Sequence, residues 1–194
     1  MFDDIDDYTS LTDQEKYKWV EYYKWKFKAT WFSPFTEKLI LATKTEFGFL
    51  GAYNQELGIS PFERFYVGGD GLSGMGYMND GRELVALRGY SNNSLSPQTG
   101  ATIYNKYTAE IRYALSLNPT STMYALAFLE AGNAWEEFDN FNPFGVKRSV
   151  GIGVKIMLPM IGMMGLDYGW GLDEVIGNPE ANGGQFHFSI GQNF

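Results

Sequence analysis

The chain has 194 residues, no cysteine, one histidine, and 15 basic against 23 acidic side chains, for a net charge of −8. An aromatic content of 17% excludes a disordered chain, the missing thiols exclude a disulfide scaffold and Cys-based zinc or redox chemistry, and the acidic balance argues against general nucleic-acid binding. No window approaches the roughly 18 consecutive apolar residues of a membrane-spanning helix. The best run, Ile156 to Leu166, is broken by Pro159, Gly162 and Gly165. At the start, Asp3, Asp4, Asp6 and Asp7 stand where a secretory signal would carry basic and then apolar residues, so no signal peptide is expected.

Chain pacing from Lys18 onward is two. Trp19, Tyr23, Trp25, Phe27, Ala29 and Trp31 alternate with Lys18, Lys24, Lys26, Lys28 and Thr30 for more than a dozen residues. Globular strands average about six residues, whereas a tilted strand needs about 9–11 to cross the hydrocarbon of a bilayer. Leu39 to Tyr53 repeats the pattern, with Leu39, Leu41, Phe47, Phe49 and Tyr53 opposite Lys44 and Glu46. Further strands are predicted at Phe62 to Gly68, Thr102 to Leu115, Thr122 to Gly132, Arg148 to Leu158, Ile161 to Trp170 and Gln185 to Phe194, making about eight. Connections at Asn118-Pro119-Thr120 and Pro159-Met160 are tight, while Gly69 to Gly100, Ala134 to Lys147 and Gly171 to Gly184 are long. Long loops on one rim and short turns on the other are the habit of an outer-membrane barrel, with Tyr and Trp near strand ends forming interfacial girdles. A soluble antiparallel barrel or sandwich shares the alternation; strand length favours the membrane. In the last segment Phe186, Phe188, Ile190 and Phe194 alternate with His187, Ser189, Gly191 and Asn193, and an aromatic-ended edge strand of this kind can be captured by another sheet edge.

Several blocks together resemble the BamA-type outer-membrane insertase superfamily, also described as bacterial surface antigens. They are Arg64-Phe65-Tyr66-Val67-Gly68-Gly69 with the later Leu87-Arg88-Gly89-Tyr90; Ala109-Glu110-Ile111; Phe128-Leu129-Glu130-Ala131-Gly132-Asn133-Ala134-Trp135; Ser149-Val150-Gly151-Ile152-Gly153; and Phe188-Ser189-Ile190-Gly191-Gln192-Asn193-Phe194. Leu87 departs mildly from the family's Val-Arg-Gly-Phe/Tyr wording, and the Gly-Gly-Asp-Gly-Leu-Ser-Gly stretch from Gly68 resembles versions from the Bacteroidetes group.

The resemblance implies an all-β, antiparallel transmembrane barrel of which about eight strands are present, half of a barrel of roughly sixteen. Residues 1–16 would be an acidic connection and 17–194 the C-terminal part of the barrel, with a loop over 69–100 folding into the lumen. In the family the loop's arginine meets acids on the wall; carried over, Arg88 would pair with Glu110 and Glu130, which have lumen parity. The implied function is insertion and assembly of outer-membrane proteins, the closing strand (Phe186, Phe188, Ile190, Phe194) forming a seam that opens sideways and templates a client strand. Implied partners are the outer-membrane lipid bilayer, nascent outer-membrane β-barrel proteins, a first half-barrel with POTRA domains, and assembly lipoproteins. Three readings of the length are a partial chain, which is favoured, a half that joins a separately encoded half, and a closed small barrel whose interior would be too narrow for the loop. A passive transport or secretion pore of the same superfamily, or a non-functional remnant, are the alternatives in function.

Catalysis is not expected. Gly69-Asp70-Gly71-Leu72-Ser73-Gly74 fits G-x-G-x-x-G but precedes no helix pattern, and His187, the sole histidine, lies in the closing strand with no nucleophile-elbow sequence in the chain. The acids at Asp3 to Asp7 read as solvated charge rather than a calcium site. No cofactor, metal or nucleic-acid partner is expected.

Overall fold

A computed structural model describes residues 21–53, 58–60, 62–71, 82–118, 121–159 and 162–191. The acidic segment 1–16, Trp19 and the terminal Phe194 lie outside the described residues. Nine strands are present in this part: β1 (Tyr22–Pro34), β2 (Leu39–Ala52), β3 (Phe65–Val67), β4 (Glu83–Val85), β5 (Ile103–Asn118), β6 (Ser121–Trp135), β7 (Lys147–Leu158), β8 (Gly162–Gly171) and β9 (Gly184–Ile190).

Seven of them form one antiparallel sheet in the order β1-β2-β5-β6-β7-β8-β9. Each wall strand neighbours the next wall strand in sequence, the up-and-down order that makes a barrel wall without crossovers. β1, β2, β5 and β6 run for 13, 14, 16 and 15 residues, more than the hydrocarbon requires. The connections 53–102, 136–146 and 172–183 leave one rim, and the short ones leave the other.

Parity along these strands is two-faced. Ile111, Leu129, Ile152, Leu166 and Phe186 are exposed on one side of the sheet, while Glu110, Glu130, Lys155, Asp167, His187 and Ser189 are buried on the other. A polar interior beneath an apolar exterior is the inverse of a soluble barrel and is the arrangement of a wall facing lipid outside and a polar lumen inside.

The segment Phe62 to Gly68 is not a wall strand. Its core, β3, pairs in parallel with β4 (Phe65↔Glu83, Tyr66↔Leu84, Val67↔Val85) in a separate two-stranded sheet. The physical reason is burial on both faces: Phe65, Tyr66 and Val67 are all buried, so there is no lipid side, and three residues cannot cross a bilayer. The described residues therefore hold seven wall strands rather than eight. The apolar core lies inside the lumen and is built largely by this loop: Phe65, Val67, Val85, Leu87, Tyr90, Leu95 and Ala101 pack with Leu50 and Tyr104 of the wall.

Candidate functional site: an arginine-tipped lumen loop

The connection between β2 and β5 enters the lumen and is tied to the wall at two places. At its base, Lys24 of β1 lies 2.9 Å from Glu63 and 2.6 Å from Glu83, and Lys26 lies 3.0 Å from Glu83. Two members of the lysine stripe on β1 thus meet acids of the loop. Arg64 donates to the carbonyls of Ser60 and Gly100 and reaches Glu136 beyond β6.

The tip holds Leu87, Arg88, Gly89 and Tyr90. Arg88 is 7% exposed; its Nη2 donates to Glu110 at 2.7 Å and Glu130 at 2.8 Å, and its own backbone N–H donates to Glu130 at 2.9 Å. Nη1 lies 3.3 Å from Asp167 on β8, close enough for charge attraction but without a hydrogen bond. The guanidinium carbon sits 3.6 Å from the centre of the Phe128 ring. A planar cation can use its edge for carboxylates and its face for an aromatic ring at once, which a lysine cannot do.

The acids are shared. Glu130 also meets Lys106 at 3.0 Å, Glu110 meets Arg112 at 2.6 Å, and Asp167 meets Lys155 at 2.7 Å, whose Nζ donates as well to Ser189 of β9. Four cations and three carboxylates form a single chain of charge across β5 to β8, in which each carboxylate meets two cations, so its desolvation is offset by more than one partner.

Close approach makes this docking possible. Gly89 has φ +87, and a Cβ there would sit 2.6 Å from the backbone nitrogen of Gly171; a Cβ on Gly169 would sit 2.7 Å from the nitrogen of Gly89. The tip lies on bare backbone of β8, and only glycine fits on either side. Gly89 N–H donates to His187 Nε2 at 2.8 Å, which requires a neutral imidazole carrying its proton on Nδ1. Tyr90 is fully buried, donates to the Arg148 carbonyl at 2.7 Å and accepts the Asp173 N–H; burial raises its hydroxyl pKa above the ordinary value. Leu87 is fully buried in the lumen core.

The geometry brings Leu87, Arg88, Gly89, Tyr90, Glu110 and Glu130 into one cluster. Phe186, Phe188 and Ile190 do not join it: they share the outward parity of β9, with Phe186 and Phe188 exposed. Sequence reasoning missed Asp167, Lys155, Lys106, Phe128 and His187. A usable signal was present: Gly151, Gly153, Gly165, Gly169 and Gly171 all carry lumen parity on β7 and β8, and a bare lumen face marks where something packs on backbone. Among the described residues there is no group of His, Cys, Asp and Glu able to hold a metal ion.

A wall with an apolar outside and a charged inside, holding a loop by an arginine at its tip, defines an outer-membrane barrel protein. The profile of the Omp85 superfamily domain matches residues 9–194, and the chain belongs to that superfamily. The fold is also that of the crystal structure of BamA from Haemophilus ducreyi lacking POTRA domains 1–3, with TM-score 0.61 and 19% sequence identity. That match covers 87% of this chain and 34% of the other, so the chain spans about a third of that structure's length. A sequence search of curated proteins gives no match.

Proposed function

We propose that the chain forms part of an outer-membrane insertase barrel that assembles other outer-membrane β-barrel proteins. The observation that carries this reading is the loop tip's reach to β9: Gly89 N–H on His187, next to an arginine bonded to β5 and β6. β9 is only seven residues long, and among the described residues it pairs on one side only, with β8. A backbone hydrogen bond is worth about 0.5–1.5 kcal/mol net, so a short edge can exchange its pairing with an incoming strand at little cost. The loop would brace the last strands from inside while the edge of β9 accepts a client's terminal strand. No covalent step or nucleotide is involved; backbone hydrogen bonds are swapped at a membrane seam. The partners in this reading are nascent barrel proteins, the remaining barrel strands, POTRA domains and assembly lipoproteins.

The test is complementation. A gene in which this segment replaces the corresponding part of a full-length insertase is expressed in cells depleted of their own. Restored assembly of barrel proteins is expected. Ion conductance with selective solute passage but no restored assembly would overturn the insertase reading in favour of a transport pore.

A further inference from the structure

The connection between β6 and β7 does not project from the rim. Phe49, Ile103 and Trp135 are register neighbours across β2, β5 and β6, and Phe47, Asn105 and Asn133 form the adjacent row. Both rows share the outward parity of Ile111 and Leu129, which are exposed. Even so, Ile103 and Asn105 are completely buried. Residues 136–146 cover them: Asn105 Nδ2 donates to the Pro143 carbonyl at 2.8 Å and Asn133 Nδ2 to the Gly145 carbonyl at 2.7 Å. Phe141 packs edge-on against Phe49 and Trp135, with ring centres 6.0 and 5.0 Å apart, while Phe138 stacks on Phe49 at 5.7 Å. At its start the segment stays linked to the lumen side, since the Glu136 carbonyl accepts from Thr102 and its carboxylate meets Arg64. The chain therefore crosses the rim from inside to outside and folds down over the wall.

We propose that residues 136–146 are a lipid-binding foot, lying at the boundary between acyl chains and headgroups with Phe138 and Phe144 inserted in the bilayer. Two observations fix lipid as the occupant. The foot covers two rows of the outer face and presents Phe138 and Phe144 in their place, the latter 87% exposed, while its exposed Glu136, Glu137 and Asp139 supply the charge that belongs at headgroup level. It also accepts a hydrogen bond from the side-chain amide of Asn105 and one from that of Asn133 on its own carbonyls, so these donors of the outward face are not presented to lipid. Apolar rings at this height on a barrel belong to the interfacial girdle, and here a loop supplies them.

The absence of cysteine from the sequence makes the test direct. Phe144→Cys and, as the water reference, Ile176→Cys in the 172–183 connection (Ile176 is 97% exposed) are labelled with an environment-sensitive fluorophore in the intact barrel protein, reconstituted in phosphatidylcholine vesicles. With a foot reaching about 5–10 Å into the interface, a nitroxide lipid labelled near its headgroup should quench position 144 at least about threefold more than position 176, and aqueous iodide correspondingly less. Equal iodide quenching at the two positions would overturn the proposal, as would protection of position 144 from both quenchers, which would show a protein cover, either a partner or a second copy. Adding Asn105→Ala and Asn133→Ala should return the label at 144 to iodide; unchanged lipid quenching in a barrel that keeps its heat-modifiable migration would refute the asparagine attachment. None of these outcomes depends on the insertase reading.

Discussion

The lumen loop is held by charge at both its tip and its base, and the two anchorages differ in nearly everything but residue type. At the tip, Arg88, Glu110, Glu130 and Asp167 are buried and each has several partners. At the base, Lys26 is open to water and Glu63 partly so, while Lys24, mostly covered, bridges Glu63 and Glu83. Solvent screens the Lys26 pair at the base and not the pairs at the tip, so similar contacts have different worth. The base guides the loop to β1, while the tip fixes its position against the far strands.

The largest expected effect is at the tip. Arg88→Ala leaves three buried carboxylates short of a partner and should cost about 3–5 kcal/mol of stability, read as a lower urea midpoint for the barrel in lipid. Arg88→Lys should recover only part of this, because it keeps the charge but loses the fork and the face against Phe128. An equal midpoint for the lysine variant and the native protein would show that charge alone holds the tip.

Gly169→Val comes next. A side chain there meets the Gly89 nitrogen, so the tip must lift and its bond to His187 must break, at a cost of about 1–3 kcal/mol. Faster proteolysis within 82–100, with the outer wall still heat-modifiable, is the expected readout. Lys26→Ala at the base, where the side chain is 54% exposed, should cost about 1 kcal/mol or less and lose its effect in high salt, measured by urea midpoints at two ionic strengths.

The smallest effect is outside the membrane. Asp173 is held below its ordinary value of 3.8, first by hydrogen bonds from the Arg148 side chain. A lowered carboxylate pKa gives stability that is complete above the ordinary value and is lost as pH falls through the folded one. The midpoint difference between native protein and Asp173→Asn should therefore be present at neutral pH and vanish in strong acid.

The wall was legible because its environment alternates as its side chains do: Trp25 and Phe27 against Lys24 and Lys26 can be read without coordinates. The loop was not, because inside a lumen the rule of alternation fails. Phe65, Tyr66 and Val67 are apolar in succession and buried in succession, and the register of a parallel pair with Glu83 to Val85 is set by contacts from all sides. Arg88, Glu110 and Glu130 could be placed together only through family likeness joined to parity. Asp167 and His187 share that parity, but their roles depend on the tip resting at Gly169, a distance in space that spacing along the chain does not encode. The foot over Ile103 was hidden for the opposite reason, since its residues look like an ordinary exposed loop.

The partners of the tip arrive in chain order. Arg88 precedes every group that holds it: Glu110 comes with β5, Glu130 with β6, Asp167 with β8, and the His187 acceptor for Gly89 with β9. A nascent sheet that stops at β6 satisfies Nη2 and leaves the Gly89 N–H without its acceptor. The docking of the tip is therefore complete only in a sheet that runs from β5 through β9.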